Sequence, residues 1–111
     1  MALDRARSGE VIDLSPLGPD IANARSTALI KADRFETIRL IVPSKSRIPP
    51  HQVSGEITLH CLEGRVRIGL ENDSIELAAD QWVYFDGGVV HSVEGIEDAC
   101  VLLTIMLPAR A

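Results

Sequence analysis

From Thr27 onward, apolar and polar positions alternate along most of the chain. Ile38, Leu40 and Val42 alternate with Thr37, Arg39 and Ile41, and Ile57, Leu59 and Cys61 with Glu56, Thr58 and His60. Val66, Ile68 and Leu70 alternate with Arg65, Arg67 and Gly69, and Ile75, Leu77 and Ala79 with Ser74, Glu76 and Ala78. Successive side chains of a strand point to opposite faces, so this period of two predicts strands with one buried face. Glu71-Asn72-Asp73 predicts a hairpin turn, because Asn and Asp tolerate left-handed backbone angles. The run from Ala99 to Leu107 is apolar on both faces and predicts a strand covered on both sides. Ahead of this region, Val11, Ile12 and Leu14 predict a short strand and Ser15-Pro16-Leu17-Gly18-Pro19 a break. Residues 19–25 suit one helical turn, and residues 1–9 a loose arm. About eight to ten short strands with turn signals between them imply an all-β sandwich or barrel.

With 111 residues the chain has the size of one domain, residues 1–111, and no repeat or linker divides it. At 46% hydrophobic and 24% charged it buries a core. The aromatic residues are only Phe35, Trp82, Tyr84 and Phe85, so that core is mostly Ile, Leu and Val, which favour strands. Trp82 and Tyr84 alternate with Val83 and Phe85, so one pair is expected to line the core or a pocket wall. A net charge of −5 without a Lys/Arg run argues against nucleic acid as a partner, and no basic amphipathic stretch suits a membrane surface. Two cysteines inside apolar runs, Cys61 and Cys100, suit buried thiols rather than a disulfide framework. The charged N-terminus is unlike a signal peptide, and no apolar run reaches membrane-spanning length, so a cytoplasmic location is expected.

The segments "PPHQVSGEITLHCLEGRVRIG" and "LAADQWVYFDGGVVHSVEG" resemble the two motifs of the cupin family. Spacing places His51 and Gly64 at positions of the first motif and Gly88 and His91 at positions of the second. The chain departs from the pattern at Lys45, Val53, Ile57, Asp80, Asp86 and Gly95. The resemblance implies an all-β double-stranded β-helix, the RmlC-like jelly-roll barrel, with its core at about residues 40–107 of the chain. It also implies a homodimer, which would cover an exposed sheet edge.

In metal-binding cupins, two His and a Glu of the first motif and one His of the second hold a divalent ion. The resemblance therefore points to His51 and His91 as ligands of Fe, Mn, Ni or Zn, a donor chemistry that suits such ions. Val53 and Ile57 stand where the second His and the Glu would be, which leaves the set half filled. Val53, Ile57, Leu59, Cys61 and Val89 are expected to line the pocket beside the histidines. Simple alternation turns His60 outward. A bulge near Ser54-Gly55 would reverse this, gathering His51, Glu56, His60 and His91 while exposing Ile57 and Leu59. Neither a nucleophile elbow, a phosphate-binding glycine loop nor a paired-cysteine zinc motif occurs. The expected function is small-molecule binding at a histidine-containing pocket, with or without a divalent metal. The alternative is a metal-dependent dioxygenase or isomerase acting on a small polar substrate.

Overall fold

The computed structural model describes residues 5–108. A short 3₁₀ helix, Gly18–Asn23, precedes seven strands: β1 (Thr27–Lys31), β2 (Phe35–Val42), β3 (Arg47–His51), β4 (Ile57–Gly69), β5 (Ser74–Ala78), β6 (Trp82–Phe85) and β7 (His91–Met106). β4 and β7 are long, 13 and 16 residues, and they pair with each other twice. The first half of β4 runs against the second half of β7, from Ile57 opposite Ile105 to Cys61 opposite Val101. The register then shifts between Cys61 and Val66, and Val66 to Gly69 face Gly95 to Ser92.

The shorter strands attach to one half or the other. β2 pairs with the second half of β7, β1 with β2, and β6 with the start of β4. β3 pairs with the start of β7, and β5 with the end of β4. Two antiparallel sheets result, β1-β2-β7-β4-β6 and β3-β7-β4-β5, which share their two central strands and form the jelly roll.

Between the sheets lie Val42, Ile57, Leu59 and Cys61 from the first and Val66, Ile68, Leu77 and Val93 from the second. Each fully buried Leu, Ile or Val contributes roughly 1.5–3 kcal/mol. Val83 and Phe85 pack against this core, whereas Trp82 and Tyr84 stand outside, 59% and 46% exposed.

The sequence expectations need correction in three places. No strand forms at residues 11–14, and Val11 is 92% exposed. That segment is tethered at its ends instead: the Ala6 amide donates to the Leu29 carbonyl, Arg39 donates to the Ser15 carbonyl, and the Leu17 and Gly18 amides donate to the Glu63 carboxylate. Among the described residues no neighbouring strand lies along it, so its backbone stays in water. The strands are also fewer than expected, because β4 and β7 continue through bends where alternation suggested separate short strands. Finally, residues 99–106 of β7 are covered on both faces only near Cys100; Leu102 and Thr104 are half-buried and Met106 is exposed.

The bend of β4 centres on Gly64, whose φ is +77°. A Cβ there would collide with the Asp98 carbonyl and the Ala99 backbone of β7. Lys45 and Asp80, at +70° and +73°, hold left-handed angles at two positions where the cupin motifs carry glycine. A β-carbon in that region meets the following carbonyl oxygen. Gly64→Ala is expected to lower unfolding stability by about 1–3 kcal/mol. Lys45→Gly is expected to raise it by about 1 kcal/mol. Urea unfolding of the variants checks both signs.

Candidate functional site

The two motif histidines face each other across a strand pair. His51 ends β3, His91 begins β7, and the two residues are direct partners in the ladder. Opposite residues of an antiparallel pair project to the same side, and the two rings have centroids 4.3 Å apart and planes inclined by 55°. Among the described residues β3 pairs only with β7, so Pro49 and Pro50, which lack an amide hydrogen, are accommodated on an edge. His91 is buried, at 3% exposure, and His51 is exposed. Phe85 reaches His91 from β6 in the facing sheet and stacks on it at 6.0 Å, with 18° between the rings. The imidazole of His91 thus neighbours both an apolar ring and the ring of His51.

Both imidazoles are fixed by the same local device. Nδ1 of His51 lies 3.2 Å from the Pro49 carbonyl, and Nδ1 of His91 lies 3.0 Å from the Val89 carbonyl. A carbonyl oxygen only accepts, so each Nδ1 carries the hydrogen and donates it. In the neutral form each Nε2 then presents a lone pair, and neither Nε2 has a protein partner among the described residues. Burial depresses the basicity of His91 below the ordinary histidine value, and the neighbouring His51 adds to this; the bond to Val89 opposes it. His91 is therefore held as a neutral acceptor at neutral pH.

The other expected site residues are dispersed. Ile57, Leu59 and Cys61 are sealed in the core. The Cys61 thiol donates to the carbonyls of Glu63 and Gly64, and burial pushes its pKa up, so it is a thiol and not a thiolate. Val53 is half-buried, and its carbonyl accepts from the Gly88 amide, which ties the loop after β3 to the loop before β7. The inward set with Glu56 and His60 does not form. Ile57 and Leu59 keep the inner positions, so His60 lies on the outer face between Trp82 and Leu102, and Glu56 is exposed. Exposing two large aliphatic side chains would cost more than turning one histidine inward returns.

A cleft of about 440 Å³ is lined by Leu70, Glu71, Asn72, Gly88, Val89 and Val90. Of the expected lining residues, Val89 belongs to it, and its carbonyl is the one that holds His91. Sequence reasoning missed Leu70, Glu71 and Asn72. Their signal was the hairpin turn itself: Gly69 pairs with Ser92, so the turn projects from the sheet end that bears His91.

A tightly held divalent ion needs more donors than are present here. Val53 and Ile57 occupy the other two motif positions, and among the described residues no group of three or more His, Cys, Asp or Glu side chains is gathered. Two neutral imidazoles also leave the charge of a dication unbalanced. The residues present do not fit a resident metal.

A family model described as a cupin domain matches residues 38–106. None of the curated proteins matches the chain. Among solved structures, the chain is similar to a conserved protein of unknown function from Streptococcus pyogenes, with a TM-score of 0.78, 18% identity, and 99% of this chain and 98% of that one covered. It is also similar to a cupin superfamily protein from Desulfitobacterium hafniense, with a TM-score of 0.75, 17% identity, and 93% and 100% covered. An RmlC-like cupin from Desulfovibrio desulfuricans gives a TM-score of 0.72 at 17% identity, with 87% and 97% covered. At these identities the likeness concerns the fold.

Because His91 binds its proton more weakly folded than unfolded, the unfolded chain takes up more protons as pH falls from the ordinary histidine value of about 6.5 toward the lower folded value. The stability contributed by neutral His91 is complete above that ordinary value and is lost as pH falls through the window. His91→Phe is expected to flatten this part of the pH profile, measured by denaturant unfolding at a series of pH values.

Proposed function

The chain belongs to the cupin family, and from that premise we propose that it binds a small polar molecule at the His51–His91 pair, working as a homodimer in the cytoplasm. The observation that carries this reading is the pairing of two imidazoles whose Nδ1 hydrogens are both committed to backbone carbonyls. Their Nε2 lone pairs form a two-point acceptor at the end of a sheet. Such an acceptor recognises hydroxyl, amine or amide donors.

A nearby cleft, lined by Val89 and Val90 just ahead of His91 but by neither histidine, suits the same ligand class. Its volume lies within the usual range for small-molecule sites. Glu71 and Asn72 add polar groups, and Leu70, Val89 and Val90 offer an apolar wall. A ligand with two or more donors and a short aliphatic part matches this lining. Burial of His91 keeps it unprotonated and hence accepting.

The reading is tested with protein purified without added metal. A thermal-shift panel of small polyols, amino sugars and amines is expected to raise the melting temperature of the unsubstituted chain. His51→Ala and His91→Phe, checked for folding by circular dichroism, are expected to lose that shift. Binding is expected to weaken as pH falls through the titration of His91. Stoichiometric iron, manganese, nickel or zinc in the purified protein, absent from His51→Ala, would overturn the metal-free reading and restore the metal-dependent enzyme.

A further inference from the structure

Cys100 has no exposed surface, yet it does not belong to the core between the sheets. Its neighbours Ala99 and Val101 both lie in that core, so alternation turns Cys100 to the outer face of β7. An outward side chain on a sheet is hidden only where something lies over it. Arg39 does so from β2, donating from Nε to the Cys100 sulfur at 3.2 Å. The N-terminal segment does so as well, since the 3₁₀ helix Gly18–Asn23 packs against β7 and buries Ile21.

Residues 15–23 are held there by side chains. Glu63, the ladder partner of Cys100 at the irregular bend of β4, accepts from the Leu17 amide through one carboxylate oxygen and from the Gly18 amide through the other, at 2.9 and 2.8 Å. The Arg39 guanidinium donates to the Ser15 carbonyl at 3.0 Å. The backbone bonds of this segment are internal, from the Asp20 amide to the Leu17 carbonyl and from the Ala24 amide to the Ile21 carbonyl. Among the described residues it forms no rung of the sheet, so it can leave the barrel without breaking a strand pair.

We propose that residues 15–23 are a latched cover that opens as a unit on the folded barrel, with Glu63 as the latch, and that opening presents the Cys100 thiol and the Arg39 guanidinium to solvent. A segment opens locally where few apolar contacts and few backbone bonds hold it. Of residues 15–23, Leu17 and Ile21 alone are half-buried or buried. One carboxylate takes two amide hydrogens, so a single side chain governs the strongest polar tie. The closed chain hides a thiol and a guanidinium that the open chain displays, and the two states offer different surfaces from the same barrel.

The two cysteines give the test its own reference, because Cys61 lies between the sheets and Cys100 beneath the cover. The full chain is treated with dithiobis-nitrobenzoate at a series of low urea concentrations, and initial labelling rates at each cysteine are read by peptide mass spectrometry. Cys100 is expected to react about tenfold or more faster than Cys61, with little dependence on urea. Cys61 is expected to follow global unfolding and rise steeply with urea. Glu63→Ala is expected to speed Cys100 labelling about tenfold or more, with unchanged circular dichroism and the same shallow urea dependence. Equal rates and equal urea dependence for the two cysteines overturn the cover, because the segment then leaves only when the barrel unfolds. Fast, urea-independent labelling of Cys100 that Glu63→Ala does not alter overturns the latch. Should Glu63→Ala misfold, Glu63→Gln, which keeps the shape and removes the charge, is read in the same way, and the unsubstituted chain decides the cover by itself.

Discussion

The β4–β7 ladder holds both sheets of the molecule together. Because each of these strands bends, one pair of neighbours serves the first sheet with its Ile57–Ile105 end and the second with its Gly69–Ser92 end. Five shorter strands attach to this pair or to each other, and none spans both sheets. The bend therefore sets how the two inner faces meet. It needs a residue without a β-carbon where β4 passes the Asp98 carbonyl, and Gly64 meets that need.

The same ladder positions the chemistry. It places His91 at the start of a strand whose neighbours on both sides are fixed, so His91 is buried and held neutral. β3 then supplies His51 from an edge, where the ring meets solvent. One imidazole is thus set by the core and the other by the rim. Their carbonyl anchors lie two residues upstream in each case, so each imidazole is held by its own backbone. Under the proposed reading, a ligand at this place would meet preset acceptors and little rotamer freedom would be lost on binding.

Much of the fold was legible in alternation. Ile57, Leu59 and Cys61, and likewise Val66 and Ile68, fall on the inner face as their spacing implies. The continuity of β4 through Gly64 was not legible, because a glycine inside an alternating run reads equally as a turn or a bend. The failure at residues 11–14 has a different cause. Propensity reports what a segment would do beside a neighbour, and no neighbour lies there. At the site, the meeting of His51 with His91 followed from motif spacing. The cleft did not, because Leu70, Glu71 and Asn72 read only as a turn, and their position beside His91 is a product of long-range register.

The two prolines before His51 have a further consequence. An edge strand normally offers amide hydrogens to any extended chain that drifts alongside, and this is how sheets recruit one another into fibrils. Of the successive residues Pro49 and Pro50, one turns its nitrogen to the open edge, and proline there removes a donor beside the imidazole pair. Backbone-mediated recruitment is thereby disfavoured at the rim of the barrel that bears the histidines.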